Sequence, residues 1–477
     1  MAENTASIVI PAPVSLRLNG EKLPLSKIRR CRVAPEFAFL RPELEELFRT
    51  LSLKIAVVED GTAEIALRQG KSETAGAWKM TVSAAGVDAE AGEETGARYA
   101  FDALTQMLFA AAISGGQSSA ALDGAEIADA PRFAWRGFHL DSARHFQDVA
   151  ELKRFLRILA HFRINSFHWH LTDNQGWRLP SAAAPALDGS GRWSDGQYTA
   201  DELREIAAFA RRLGIRIVPE VDVPGHSKLL LSRYPQFACD PADPGSEWCI
   251  GNPESLPFMK RIFAELMEIF PDSPIIHIGG DEAETDHWEK CPKCRAMLKA
   301  KGLSTMRELE NHFMRQLARF LVEKGRTPMI WDTCSDQHYP PDTIIQVWLD
   351  IREPLKVAPL GNKMVYSVHN SLYFDYPANL NEPWETWMFE LSERGVYMTD
   401  PYIIWPEKVK ESILGTEACL WTETVPRHRV LAKLFPRIFA YAECAWSMPE
   451  NKSFSDLIRR KELLEAAGFT DYLKSLR

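Results

Sequence analysis

Two adjacent carboxylates, Asp281 and Glu282, have the residue types and spacing that acid–base chemistry needs. They end the stretch PIIHIGGDE, in which a short apolar run typical of a buried strand precedes two glycines. Because successive strand residues point to opposite faces, both carboxylates share one pocket only if the strand ends at Gly279–Gly280. Such a pair does not ionise freely, which predicts a protonated general acid beside a charged partner, suited to cleaving an acetal. The alternative is that the pair only caps the next helix.

Acids and tryptophans recur at the ends of the other strand candidates. Carboxylates accept hydrogen bonds from sugar hydroxyls, and tryptophan faces pack on the apolar faces of sugar rings. The pattern therefore favours a carbohydrate pocket over tryptophans that serve packing alone. The residues are Asp141, Asp173, Asp222 with His226, Trp331 with Asp332, Trp348, and Trp421 with Glu423.

Strands and helices alternate from Phe133 onwards, which predicts parallel pairing. Eight strand candidates, from FAWRGFHLD to ILGTEACLWTE, predict an α/β fold in which residues 130–477 form a (β/α)8 barrel with a closing helix at VLAKLFPRIFAYAECAWS. In that fold catalytic residues lie at the C-terminal ends of the strands. Loop insertions are expected at Gln175–Ala200 and Tyr373–Glu411.

Residues 1–125 predict a small α+β domain before the barrel. Its strand candidates are SIVIPAP, KIAVVED, AEIALRQ and WKMTVSAA, and its helix candidate is ARYAFDALTQMLFAAA. The polar stretch ISGGQSSAALDGAEIADAP is expected to be the domain boundary.

Six motifs resemble, in order, the signatures of the β-N-acetylhexosaminidases of glycoside hydrolase family 20. They are RGFHLDSARHF, FHWHLTDNQGWRL, EVDVPGHS, HIGGDE, IQVW and EACLWTE, and they extend over about residues 130 to 450. The resemblance implies an exo-acting, retaining enzyme that removes terminal GlcNAc or GalNAc through an oxazolinium intermediate. Its partner would be an N-acetylhexosamine-terminated oligosaccharide or glycoconjugate, and no cofactor is expected.

The resemblance also implies a role for individual residues. Glu282 would be the general acid and then the base, and Asp281 would orient the substrate's 2-acetamido group. Tyr373 would donate a hydrogen bond to the acetamido carbonyl oxygen, with Tyr376 as the alternative phenol. Trp331, Trp348 and Trp421 would wall the pocket, Arg136, Asp375 and Glu423 would bind hydroxyls, and Asp173 and His226 would hold the acid. Arg136 opens its strand and rests on the resemblance alone.

Composition excludes several other classes of function. The net charge is −9 without a basic block, which argues against nucleic acid or an anionic membrane as a partner. No apolar run approaches the roughly 20 residues of a membrane span. The start, MAENTASIVIPAPVSL, lacks a basic n-region, so no signal peptide is visible and a cytoplasmic location is expected. The oligomeric state stays open.

Two other functions compete with the glycosidase. A metal-dependent barrel hydrolase would use His168 and His170, which share a strand face, together with Asp173. The later strand ends offer no histidine, so these two are interpreted as hydrogen-bonded interior groups and no metal is expected. A non-catalytic amino-sugar-binding protein is the other alternative, although it would not need Asp281, Glu282 and Tyr373 together.

The eight cysteines are too sparse for a disulfide scaffold. Cys291 and Cys294 form a CxxC, but no second pair follows at zinc-finger spacing, which disfavours a structural zinc site. Cys239 and Cys249 bracket a loop that a disulfide would close in an oxidising compartment.

Overall fold

The structure, a computed structural model, describes residues 4–114, 120–188, 196–332, 339–402 and 405–476. Within these ranges the chain forms a seven-stranded sheet followed by a closed barrel of eight strands. The predicted fold, a (β/α)8 barrel preceded by a small α+β domain, is confirmed. None of the described helices is long and apolar enough to cross a membrane.

The first domain is a mixed sheet on which a long, mostly buried helix packs. In β5 the residues Trp78, Met80 and Val82 are buried and alternate with more exposed ones, as the period of two along a strand requires. The sheet order is β1-β7-β5-β6-β4-β2-β3. The elements are β1 (Ser15–Pro24), β2 (Arg30–Val33), α1 (Arg41–Thr50), β3 (Ala56–Val58), β4 (Ile65–Gln69), β5 (Trp78–Ser83), β6 (Gly86–Ala91), α2 (Glu94–Ser114) and β7 (Ala121–Asp129).

Two expectations for this domain were wrong. The run SIVIPAP is not a strand: Thr5–Ile8 is a short 3-10 helix, and the prolines that follow lack the amide hydrogens a strand ladder needs. The backbone N and O of Ile10 instead bond to the Gln106 side chain, at 2.7 Å each. The stretch assigned to the boundary contains β7, so the first domain continues to Asp129 rather than residue 125. Residues 115–119 of that stretch lie outside the described residues.

All eight predicted barrel strands are present, and each pairs in parallel with its neighbours in chain order, β15 closing on β8. The strands are β8 (Trp135–Asp141), β9 (Ser166–His170), β10 (Arg216–Glu220), β11 (Ile275–His277), β12 (Thr327–Trp331), β13 (Ile344–Val347), β14 (Met364–Tyr366) and β15 (Ile413–Leu420). Nearly every strand residue is buried, as expected of parallel strands covered on both faces. The predicted insertions extend from the rim, and their residues 189–195 and 403–404 lie outside the described residues.

Helices alternate with these strands and surround the barrel. Three of them begin with capping boxes, at Asp148–Glu151, Thr199–Glu202 and Thr305–Glu308, which satisfy the first free backbone amides. The helices are α3 (Val149–His161), α4 (Ala200–Arg212), α5 (Lys228–Arg233), α6 (Ser255–Ile269), α7 (Asp286–Lys290), α8 (Pro292–Ala300), α9 (Met306–Glu323), α10 (Glu353–Val357), α11 (His369–Leu372), α12 (Glu393–Met398), α13 (Glu407–Lys410), α14 (Val430–Leu434), α15 (Arg437–Trp446), α16 (Phe454–Ala466) and α17 (Phe469–Ser475). The predicted closing helix is thus two helices, because Pro436 cannot donate a backbone hydrogen bond.

A buried carboxylate joins the two domains. Asp129, at the end of β7, pairs with the buried guanidinium of Arg163, which precedes β9 in the barrel. The indole nitrogen of Trp446, at the end of α15, donates to the same carboxylate at 3.0 and 3.2 Å. The Arg163 guanidinium lies 4.5 Å from the Trp446 ring centroid. One side chain therefore satisfies charged and polar groups from three parts of the chain.

We expect Asp129→Ala to lower the free energy of unfolding by about 3–5 kcal/mol, because it leaves the Arg163 charge buried without its partner. Urea unfolding monitored by tryptophan fluorescence measures this loss. The matched control is Asp88→Ala, which removes an ion pair with Arg68 whose side chains are 49% and 42% exposed. That variant should cost less than about 1 kcal/mol. Equal losses in the two variants would show that Asp129 does not hold the domains together.

Candidate active site

A cavity of about 530 Å³ opens at the C-terminal ends of the barrel strands. Its position is the one that the fold predicts for an active site. Most of the residues to which the resemblance gives a role line it, although Trp331, Arg136 and Asp173 do not. The strand-end acids Asp141, Asp222 and Asp332 are not lining residues either. The lining residues are Arg144, His226, Asp281, Glu282, Trp348, Leu349, His369, Tyr373, Asp375, Tyr376, Trp387, Met388, Trp421 and Glu423.

The predicted turn at Gly279–Gly280 brings Asp281 and Glu282 into this cavity. Both glycines have positive φ angles, 69° and 103°, which residues other than glycine rarely adopt. A Cβ atom on Gly279 would also lie 1.7 Å from Oδ1 of Asp222, the carboxylate that follows β10. The amide of Gly280 donates to the same oxygen at 3.3 Å. The turn thus requires glycine for its conformation and for the space that Asp222 occupies.

His226 lies between the two acids. Its Nε2 is 3.6 Å from Oδ2 of Asp281 and 3.5 Å from Oε2 of Glu282. Both His226 and Glu282 have left-handed backbone conformations, with φ angles of 49° and 50°. Such angles are unfavourable for residues with a side chain and concentrate where the surroundings impose a functional geometry. The two strained residues therefore mark the centre of the site.

A chain of charged contacts holds His226 from below. Its Nδ1 is 3.2 Å from Asp173 Oδ1, and Asp173 Oδ2 is 2.8 Å from both Arg144 Nη2 and His170 Nε2. Burial opposes ionisation of Asp173, but Arg144 and His226 lower its pKa far below the usual value. Burial likewise opposes protonation of His226, yet Asp173 and Asp281 raise its pKa well above normal. The imidazole is therefore positively charged beside the acid pair.

The pKa values of Asp281 and Glu282 are shifted in opposite directions. Burial, with the negative charge of Glu220 and Glu282, raises the pKa of Asp281 to about 6. The hydrogen bond from His226 lowers the pKa of Glu282, whose side chain is 57% exposed to the cavity. The raised pKa thus belongs to Asp281 and the lowered pKa to Glu282, and the role of Glu282 as the general acid stays a prediction. Adjacency in the sequence did not reveal that only Asp281 is buried.

Asp222 is a second buried acid next to Asp281. Burial and the neighbouring Asp281 charge raise the pKa of Asp222 well above its usual value. A carboxylate oxygen of Asp222, one of Asp281 and a ring nitrogen of His226 lie within 4.8 Å of one another. Asp222 was recognised as a strand-end acid, but its contact with Asp281 arises only in the fold.

Aromatic side chains form the walls of the cavity. The rings of Trp348 and Tyr373 are nearly parallel, 7° apart in orientation, with centroids separated by 6.3 Å. Burial raises the pKa of Tyr373 well above 10, so its phenol remains a hydrogen-bond donor. Tyr376, the alternative phenol, has its hydroxyl 2.8 Å from Nδ1 of His369. Both phenols therefore line the cavity, but the hydroxyl of Tyr376 is engaged by His369.

Trp331 lies behind the cavity rather than in its wall. It is fully buried, and its ring centroid lies 5.9 Å from that of Trp421 and 6.4 Å from that of Trp348. Its indole nitrogen donates to Glu220 Oε1 at 2.9 Å. Trp331 thus packs against the two tryptophans that line the cavity, and it is itself anchored to a buried carboxylate.

Several polar atoms around the cavity have no hydrogen-bond partner among the described residues. They are Oδ1 of Asp281, Oδ1 of Asp375 and Nε1 of Trp348, all buried. Burial and the nearby Glu423 raise the pKa of Asp375 to about 8. Unpaired buried polar atoms are costly unless a ligand satisfies them. The cavity therefore offers two carboxyl oxygens and one indole N–H to a polar ligand.

Arg136 is not brought to the cavity. Its guanidinium lies near the opposite end of β8, where it donates to the carbonyl oxygens of Arg163 and Phe133 and to the hydroxyl of Tyr99. The predicted contact with ring hydroxyls is therefore wrong. Arg144, which was missed, lines the cavity and lies 3.3 Å from Glu423. Its place just beyond the C-terminal end of β8 was the available signal, since strand ends build the site.

His168 and His170 belong to a buried cluster beneath the cavity, as predicted when they were interpreted as hydrogen-bonded interior groups. His168 Nδ1 is 2.8 Å from Glu417, and His277 Nδ1 is 2.8 Å from Glu220. His170 also pairs with Glu220, whose pKa falls well below normal because the histidines outweigh its burial. Side chains of this cluster come close enough together to share an ion, but each contact above already pairs a histidine with a carboxylate.

Comparison with known proteins agrees with this geometry. The profile of glycosyl hydrolase family 20, catalytic domain, matches residues 133–449, and that of its domain 2 matches residues 6–130. A beta-hexosaminidase of Akkermansia muciniphila is 33% identical over 408 residues, which cover 80% of this chain and 82% of the relative. A beta-N-acetylhexosaminidase of Cellulomonas fimi is 30% identical over 95% of this chain and 92% of its own.

Solved structures agree as well. The exo beta-N-acetylglucosaminidase of Vibrio harveyi, in complex with N-acetylglucosamine, superimposes with a TM-score of 0.88 at 27% identity, over 99% of this chain and 79% of that one. The beta-N-acetylhexosaminidase of Bacteroides fragilis gives 0.84 at 27% identity, over 98% and 96%. Since the family profiles match both domains and the segment that carries Asp281 and Glu282, this chain belongs to glycosyl hydrolase family 20.

Proposed function

We propose that the protein is an exo-acting β-N-acetylhexosaminidase that releases one terminal GlcNAc or GalNAc at a time with retention of configuration. The observation that carries this proposal is the cavity in which Asp281, Glu282 and the parallel rings of Trp348 and Tyr373 meet. A single cavity with one acid pair, walled by aromatic rings, fits a chain end rather than the middle of a polysaccharide. The proposed nucleophile is the carbonyl oxygen of the substrate's own acetamido group.

Glu282 is the proposed general acid. Its side chain is exposed to the cavity and its pKa is lowered by His226. A sugar that fills the cavity removes water from this carboxylate, and loss of water favours its protonated form. Glu282 then protonates the glycosidic oxygen, and as a carboxylate it activates the water that opens the oxazolinium ring.

Asp281 and Tyr373 are proposed to act on the acetamido group. Asp281 accepts the amide N–H, and its charge stabilises the positive charge that develops on that nitrogen as the carbonyl oxygen attacks. Tyr373 stays protonated and donates to the carbonyl oxygen, which fixes its direction. Asp375 and Glu423 are proposed to bind ring hydroxyls, and Arg144 takes the place first predicted for Arg136.

The substrate's nucleophile is tested with aryl glycosides that carry acetyl, fluoroacetyl, difluoroacetyl and trifluoroacetyl groups. Fluorine withdraws electron density from the carbonyl oxygen, so kcat/KM should fall steeply along the series, because positioning cannot restore lost nucleophilicity. The plain aryl β-glucoside is the control and should be a very poor substrate. A flat series, or comparable hydrolysis of the glucoside, would remove the substrate-assisted mechanism and leave the fold standing.

Glu282→Gln should remove proton donation while it preserves the shape of the site, and lower the rate on chitin oligosaccharides by about 10²–10⁴-fold. The first step on an aryl glycoside with a good leaving group should be partly spared, since it needs little protonation. Glu284→Gln is the control, because its side chain is exposed in the same turn and outside the cavity. Wild-type rates for Glu282→Gln on chitin oligosaccharides would show that another residue is the acid.

Activity should depend on the ionisation of Asp281. Its pKa is raised to about 6 in the free protein, so kcat/KM should fall as the pH drops through about 6 and the carboxylate that must be charged becomes protonated. Asp281→Asn should have low activity without this acid limb, whereas Glu284→Gln should keep the limb. An unchanged limb in Asp281→Asn would assign the ionisation to one of its neighbours, Asp222 or His226.

A further inference from the structure

Four cysteine thiols meet on the outer side of the barrel rim. Cys239 and Cys249 belong to the long connection after β10, and Cys291 and Cys294 stand at the start of α8, after β11. The Sγ–Sγ distances are 3.8 Å for Cys239–Cys294, 3.7 Å for Cys249–Cys291 and 3.8 Å for Cys249–Cys294. All four sulfur atoms lie within 4.8 Å of one another, and three of the four residues are buried.

The sequence-based reason for doubting a metal at the CxxC was wrong. No second pair follows Cys294, but a second pair precedes Cys291 in the chain. Cys249 and Cys291 are 42 positions apart and become neighbours only through the fold. The disulfide expected to close the loop between Cys239 and Cys249 is not formed. Both thiols instead face the CxxC pair, and all four cysteines are free thiols.

The spacing of the sulfur atoms matches a tetrahedral zinc site. With Zn–S bonds of about 2.3 Å, a regular tetrahedron places its sulfur atoms about 3.8 Å apart. A disulfide needs about 2.0 Å between two sulfur atoms, and would leave the other two thiols without partners. Thiolates are soft ligands that select zinc over magnesium or calcium. We propose that Cys239, Cys249, Cys291 and Cys294 bind one zinc ion in a structural site with four thiolate ligands.

The backbone around the cysteines is built to bring them together. An antiparallel bridge between Ala238 and Trp248 sets Cys239 and Cys249 side by side, and the amide of Cys249 donates to the carbonyl oxygen of Phe237 at 2.7 Å. On the other side, Gly251 packs directly against the CxxC segment. A Cβ atom on Gly251 would lie 2.4 Å from Cα of Cys294, so any side chain at that position would push the two halves apart.

The metal would link two connections that build the active site. The connection after β10 carries His226, and the connection after β11 carries Asp281 and Glu282. Trp248, next to Cys249, donates its backbone amide to Pro224 at 2.9 Å and its indole N–H to Ser227 at 2.9 Å, on either side of His226. Trp288, three residues before Cys291, donates its indole N–H to the carbonyl oxygen of Trp248 at 2.7 Å. Four thiolates complete the coordination of zinc, so the ion would have no open position for substrate and would act through loop position alone.

The full-length protein, produced in zinc-supplemented cells and freed of loosely bound metal by gel filtration, should contain one zinc per chain by plasma mass spectrometry. X-ray absorption should show four sulfur neighbours at about 2.3 Å. Cys291→Ser and Cys294→Ser should lose most of this zinc. The matched control is Cys31→Ala, at a buried thiol of the first domain outside the cluster, and it should keep the zinc.

A second measurement does not depend on whether the variants fold. Titration of the wild-type protein with an organomercurial, in the presence of a colorimetric zinc indicator, should release one zinc as the cluster thiols react. Chelator treatment should lower the melting temperature, and added zinc should restore it, whatever substrate the enzyme prefers. Metal-free wild-type protein with freely reactive thiols, or a peptide map with a disulfide within the cluster, would overturn the proposal. Because metal content is measured without any assay of hydrolysis, this outcome is independent of the proposed function.

Discussion

The site depends on one close contact, that of the Asp222 carboxyl group with the backbone of Gly279. The carboxyl group occupies the place where a side chain at position 279 would begin, and it accepts a hydrogen bond from the next amide. This contact bends the chain after β11, so Asp281 turns into the protein while Glu282 turns towards the cavity. The difference in burial then separates the pKa values of two carboxyl groups that are adjacent in sequence. This one contact thus determines both the positions of the two carboxyl groups and the difference between their pKa values.

The charged groups below the cavity are arranged in layers. Glu220 contacts four histidines. One of them, His170, also bonds to Asp173, and Asp173 in turn contacts His226 beside the acids. Each buried charge has an opposite charge next to it, which is the condition under which such groups are tolerated in a protein interior. The barrel strands therefore position the acid pair through side-chain contacts as well as through the path of the backbone.

The sequence predicted the barrel well, because buried parallel strands are recognisable as short apolar runs between helices and their ends must face one site. It therefore predicted that Asp281, Glu282, Trp348 and Trp421 are neighbours, and the resemblance added Tyr373. Arg144 follows the C-terminal end of β8, where site residues are expected, whereas Arg136 opens the strand and was chosen on the resemblance alone. The inverted pKa values of the acid pair were not predictable, since they depend on burial. Cys239 and Cys249 were recognised as a pair, but their approach to the CxxC arises only in the fold.

The first and last parts of the chain are packed against each other. The carbonyl oxygen of Val9 accepts a hydrogen bond from Arg460 in α16 at 2.7 Å, and the amide of Ala12 donates to Glu443 in α15 at 3.1 Å. Arg460 and Glu443 are themselves a buried ion pair. During synthesis the carbonyl oxygen of Val9 therefore lacks its Arg460 partner until 451 further residues have been added, although Ile10 can bond to Gln106 much earlier. Completion of the first domain is thus a late event in folding, and the two domains that the sequence separates should form as one cooperative unit.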